Sequence, residues 1–284
     1  MDSPLNYEEQ SSKKQSFPLW KWIVELILGV LVFFVLYVIA QSVFAIPSLA
    51  AKLVISLFSS AAILLLFLLW TKLFEKSWCF DLLTKAIAKN LTIGILIGAM
   101  YFVVIAGILT IFGSYSAQYA SPHWSYITLN LFLYFLVACG EEVTFRGIIF
   151  RMIDERFGIW WALGVSALLF GFVHIFQPNA SVWSSIAIAI EAGVLLGAAF
   201  KFSGSLWLPI GIHWAWNFTQ GNVFGFSVSG TGKGESILNS MVNGPDLVTG
   251  GDFGPEASVV AVALGTLLSA IFIWQYQRRR QALN

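Results

Sequence analysis

Charge is what this chain has least of. Only 11% of its 284 residues are Asp, Glu, Lys or Arg, where a soluble domain carries roughly 25%. With 58% hydrophobic residues and a mean hydropathy of +0.79, an ordinary soluble domain is excluded. Cysteine is nearly as scarce. Cys79 falls in a linker and Cys139 in an apolar span, so no disulfide framework is expected. Cys139 stands two residues before Glu141 and reads as a nucleophile or, in its more usual use, as a small apolar filler. The chain lacks His-Glu-x-x-His, the strongest sequence sign of a zinc protease. It also lacks Gly-x-Ser-x-Gly, and no serine is placed to serve a histidine. No low-complexity tract or internal repeat stands out.

What the chain has instead is a succession of apolar runs of about 20 residues, the length that crosses ~30 Å of hydrocarbon. The fold class is therefore an all-α polytopic membrane helix bundle. About eight spans are expected: Trp20–Ile46, Lys52–Phe74, Leu91–Gly113, Ser125–Phe150, Phe157–Phe176, Val182–Phe200, Trp207–Val223 and Ser258–Tyr276. The first is too long for a signal-peptide core and no small-residue cleavage site follows it. Of sixteen Lys and Arg, all but Lys52 and Lys233 fall on the side of the N-terminus. The positive-inside rule then puts both termini in the cytoplasm. Residues 1–18 read as a disordered tail, 19–277 as the membrane domain with its motif core at 125–223, and 278–284 as a basic tail. Glu75–Asn90 alternates apolar and basic residues and is expected to lie on the inner surface as an amphipathic helix. The Gly-rich stretch 224–256 is an outer loop, functional or merely connecting.

Against this background the few polar residues inside spans carry the information, since each costs roughly 2.5–3.5 kcal/mol to insert when charged. Glu141-Glu142-Val143-Thr144-Phe145-Arg146 follows a run without charge, Tyr126 to Cys139. Adjacent helical residues point ~100° apart, so Glu141 and Glu142 face different neighbours. Glu142 and Arg146 can pair at i,i+4. That leaves Glu141 as the acid placed to act as a general base. The same cluster can instead mark a membrane interface with both acids in headgroup water. His174 lies four residues after Phe170, whose ring can pack beside it, and His213 shares a helix face with Asn217. Either histidine alone reads as a hydrogen-bonded core residue. Together with the acidic pair they suit hydrolysis: a carboxylate activates water, an imidazole orients it, and other donors hold an oxyanion. A divalent metal such as zinc, held by Glu141, His174 and His213, is the competing arrangement, and the cofactor stays open.

The ordered set EEVTFRG, Phe170-x-x-x-His174 and His213-x-x-x-Asn217 resembles the CPBP family of CAAX-prenyl-protease and bacteriocin-processing (Abi-type) intramembrane endopeptidases. The resemblance implies that Glu141 and His174 position and deprotonate water and that His213 and Asn217 form an oxyanion hole. It also implies that Glu142 and Arg146 support the site. Family accounts include both a metalloendopeptidase and a metal-free glutamate mechanism; Asn217 suits an oxyanion better than a metal. Glu191, mid-span in AIAIEAGVLLG, is an unexpected acid that either extends the site, pairs with a histidine or is structural.

The function expected is peptide-bond hydrolysis in a membrane-associated protein or peptide. The alternatives are an idle immunity or scaffold protein of the same fold and a proton-coupled transporter relaying through the buried acids and histidines. Expected partners are the lipid bilayer and that substrate, with no nucleic acid. The outer loop resembles bacterial members, which points to a plasma membrane. Depth poses one difficulty. With spans ending at Phe150 and starting at Phe157, His174 would stand ~26 Å from the inner face while Glu141 and His213 lie near it. One site requires an elbow near Arg151–Trp161 or a strong tilt.

Overall fold

The computed structural model describes residues 18–74 and 81–282, and the expected N-terminal tail falls outside them. The described chain is a bundle of long helices. α1 (Leu19–Gln41) and α2 (Leu49–Phe74) are separated at Pro47, and α3 runs Ile87–Ile111. α4 (Trp124–Phe157) and α5 (Ile159–Val173) form an antiparallel hairpin. α6 (Val182–Ser203) starts at a reciprocal Ser181/Ser184 capping box and stops at Gly204, whose left-handed backbone suits glycine. α7 (Trp207–Phe218) follows, and α8 (Val259–Gln281) is capped by Ser258. The segment expected as a basic tail from 278 is therefore helical through Gln281.

Among the described residues, seven helices are long and apolar enough to cross a membrane by length and composition. The eighth expected span is α7, of 12 residues with a π-helical extension, Thr219–Val223, shorter than the other seven. It is buried on nearly every side, Leu208 to His213 without interruption, as an all-round apolar helix must be when it occupies the centre of a bundle. Its closest neighbour is α3. A Cβ on Gly94 would stand 2.9 Å from Gly211 Cα, and one on Gly98 would run into the Ile212 carbonyl. The two backbones thus meet directly. The glycine spacing on α3 serves contact within the chain, where small residues let membrane helices approach.

Two departures from expectation are local. Of the expected surface helix, the described part is 81–90: 81–86 is a turn in which Asp81 and Leu82 are buried, and 87–90 already belongs to α3. The turn's carbonyls are engaged by the chain entering α7: Asp81 O accepts from Leu206 N at 3.0 Å and Leu82 O from Trp207 Nε1 at 2.9 Å. Docking on that connection wins over amphipathic periodicity. The second departure is a small antiparallel sheet in an otherwise helical molecule. β1 (Tyr115–Tyr119) pairs with β2 (Leu238–Val242), Tyr115 opposite Val242, which anchors the Gly-rich loop 224–256.

The depth difficulty is resolved by the α4–α5 hairpin. α4 does not stop at Phe150; it continues through a π-helical segment, Val143–Phe150, to Phe157. The chain reverses at Gly158, with φ of 87°. Glu141 precedes that turn and His174 follows it by nearly the same number of residues, so both lie about 25 Å from it.

Candidate active site

Three of the polar clusters coincide with π-helical turns: Val143–Phe150 directly after the acidic pair, Ala189–Val194 around Glu191, and Thr219–Val223 two residues after Asn217. Such turns displace the side chains that follow and recur at functional sites.

Glu142 is fully buried and held from two sides. Its Oε1 accepts from Arg146 NH1 at 3.0 Å, the expected i,i+4 pair, and stands 2.8 Å from His213 Nδ1. A carboxylate only accepts, so Nδ1 carries the proton of that bond and Nε2 is the free face of His213. Arg146, also fully buried, spends its second amino group on the carbonyls of Ala192 and Gly193, each at 3.2 Å. Its guanidinium lies 4.5 Å from the Phe170 ring centre. One cation thus joins α4, α5 and α6.

Glu141 has different company. Its Oε1 accepts from Tyr37 Oη of α1 at 2.6 Å, and its Oε2 has no hydrogen-bond partner among the described residues. That oxygen is 3.9 Å from His213 Nε2, too far for a direct hydrogen bond. The Glu141 side chain keeps 13% exposure where Glu142 has none.

His174 Nδ1 donates to the Phe170 carbonyl at 2.7 Å, which leaves Nε2 as the other face of the ring. Phe170 ties the two histidines together, its ring 4.8 Å from His174 and 6.3 Å from His213 between centres. Asn217 is buried one turn beyond His213 on the same face of α7. Glu141, Glu142, Arg146, Phe170, His174 and His213 therefore form one connected group, with Asn217 a turn along α7 from His213.

Glu191 turns elsewhere. Its Oε2 accepts from Tyr101 Oη at 2.7 Å, and Gly265 of α8 packs against its backbone. It pairs with a tyrosine, not a histidine. Cys139 is fully buried. Among the described residues no three His, Cys, Asp or Glu side chains gather into an arrangement that could hold a metal ion.

Three contributors escaped the sequence. Tyr37 and Gln41 lie on α1, where a tyrosine in an apolar helix looks like any other aromatic. Glu256 comes from the Gly-rich loop and is 2% exposed. Its Oε2 accepts from Ser229 N at 2.6 Å, and its Oε1 accepts from Trp216 Nε1 at 3.4 Å. Burial pushes its carboxyl above the usual range, opposed by hydrogen bonds from Gln220 and Ser229 and by the charge of His174.

These features define a multi-pass helical membrane protein with a buried carboxylate–imidazole centre. Residues 122–219 match the Rce1-like family model, described as type II CAAX prenyl endopeptidase Rce1-like. The matched segment runs from the start of α4 into the π-helical turn after α7 and contains both glutamates, both histidines and Asn217. No curated protein and no solved structure matches the chain.

Proposed function

We propose that this protein is an intramembrane endopeptidase that hydrolyses a peptide bond of a membrane-associated protein or peptide. Glu141 is the base, His174 helps orient the attacking water, and His213 with Asn217 faces the developing oxyanion. Glu142 and Arg146 hold the ring and the helices in place. The observation that carries the reading is the unequal treatment of two adjacent glutamates. Glu142 is wholly buried, with Arg146 and His213 sharing one of its oxygens and the other unpartnered, whereas Glu141 keeps partial exposure, has one oxygen on Tyr37 and holds the other 3.9 Å from His213 Nε2.

The chemistry follows from that gap. A water held between Glu141 Oε2 and an imidazole nitrogen loses its proton to the carboxylate as it attacks the scissile carbonyl. The oxygen of that carbonyl becomes an oxyanion, for which the Asn217 amide is a neutral donor. His213 can donate there only with both ring nitrogens protonated, because its Nδ1 proton is committed to Glu142. Glu141 then returns the proton to the leaving amine. The side chains do not assemble into a metal-ligating group among the described residues, so no step is assigned to a metal.

The test is cleavage of a quenched fluorescent peptide library by detergent-purified protein, wild type beside Glu141→Gln, each with and without a strong chelator. Activity that survives chelation and disappears in Glu141→Gln is the expected result. Activity lost to the chelator and restored by zinc would replace the glutamate mechanism. Equal activity in both proteins would remove Glu141 from the chemistry.

A further inference from the structure

We propose that Tyr37 is a positioning residue for Glu141, pinning one carboxylate oxygen so that the other is presented to the attacking water. The inference rests on the proteolytic reading above and concerns a helix outside the segment that matches the family.

Tyr37 Oη donates to Glu141 Oε1 at 2.6 Å, across 104 residues of chain. One turn further along α1, the Gln41 side-chain amide donates to the same Tyr37 oxygen. This short chain of bonds has a direction. An NH2 group only donates, so Gln41 fills a lone pair of the phenol and the phenol's single proton is committed to Glu141. Glu141 then receives on Oε1 and keeps Oε2 free on the side of His213 Nε2. The terminal torsion of a glutamate is broad, so a carboxylate without such a bond points its lone pairs over a wide range. Held at one oxygen, its plane and its second oxygen are set.

Gly140 supplies an independent observation. A Cβ at that position would run into the Tyr37 ring, so the residue just before the acidic pair is one that lets the phenol reach past the helix. The plainer alternative is that Tyr37 is a strut between α1 and α4. α1, however, has its own apolar anchors: Gly29 lies against Ile148 and Trp70, and Phe33 packs edge-on against Phe67 and Trp70. Removing one hydroxyl leaves those contacts in place.

The experiment compares wild type, Tyr37→Phe, Gln41→Glu and Glu141→Gln on the peptide library, with thermal unfolding in detergent and infrared spectra of the carboxylate region. Misplacing a catalytic group by about 1 Å costs on the order of 100-fold. Tyr37→Phe is therefore expected to lower kcat by about 10- to 100-fold with KM unchanged and only a small loss of Tm from the unpaired Glu141 and Gln41 groups. Gln41→Glu keeps Tyr37 but adds an acceptor that competes for its proton, and should lower kcat in the same direction. Wild-type kcat in Tyr37→Phe, beside an inactive Glu141→Gln, would overturn the positioning role and leave the protease reading standing. A fall in kcat matched by a large fall in Tm would make Tyr37 a strut and overturn it equally. A wild-type protein that cuts nothing, or a fully active Glu141→Gln, would instead overturn the protease reading. The infrared arm then decides the contact by itself. The carboxylate band removed by Glu141→Gln must shift in Tyr37→Phe, and an unmoved band sinks the inference.

Discussion

Two neighbouring glutamates on a helix point about 100° apart, and in this bundle that angle separates their chemistry. One direction leads to Arg146 and His213, the other to Tyr37 and a free oxygen. On the proposed mechanism the two sides fail differently when altered. Asn217→Ala should lower kcat by about 10²–10³, the scale for losing one oxyanion donor, with KM near wild type in the same peptide assay. Arg146→Ala should act on the fold first. It strips a fully buried carboxylate of its cation and frees two carbonyls of α6, a class of change that costs about 3–5 kcal/mol. Thermal unfolding and folded yield in detergent would read this out. Arg146→Lys should rescue only part of it, because an ammonium cannot span Glu142 and both carbonyls as the planar fork does.

At the scale of elements, the site depends on helices brought unusually close. α7 carries His213 and Asn217, and its backbone rests on the glycines of α3. Gly98→Ala is expected to push α3 from the Ile212 carbonyl, lower Tm and reduce cleavage, since Ile212 adjoins His213. Gly107→Ala, on the same helix with nothing within 4 Å, should cost no stability. Equal Tm changes for the two would show that the close contact at Gly98 does not decide stability. The element pattern was legible from the sequence wherever a helix faces lipid, because there the apolar run is the whole signal. It was less legible at α7 and at 81–86, where burial by neighbours decided the outcome.

For the whole molecule, the excess of Lys and Arg on one side sets the proposed orientation, with both termini and the α4–α5 turn in the cytoplasm and the β1–β2 sheet outside. Single cysteines test it in a Cys79→Ser, Cys139→Ser background. Lys233→Cys should react with a membrane-impermeant maleimide in intact cells, and Arg279→Cys only after the membrane is opened. The reverse pattern would invert the topology. It would also place the outer loop, which reaches the site's rim through Glu256 and Trp216, on the cytoplasmic side.

The sequence by itself determined that this is a membrane helix bundle, that the candidate catalytic residues fall on α4, α5 and α7, and that Glu142 can pair with Arg146. Apolar length and i,i+4 spacing are local properties, written along the chain. Only the tertiary structure decided which partners each glutamate takes, brought His174 level with Glu141 through a continued α4, and turned Glu191 toward Tyr101. It alone supplied Tyr37, Gln41 and Glu256 from distant segments. A hydrogen bond between residues 104 apart leaves no local trace. The energy that selects it comes from burial, where an unpaired polar group is costly and the partner nearest in space is the one that counts.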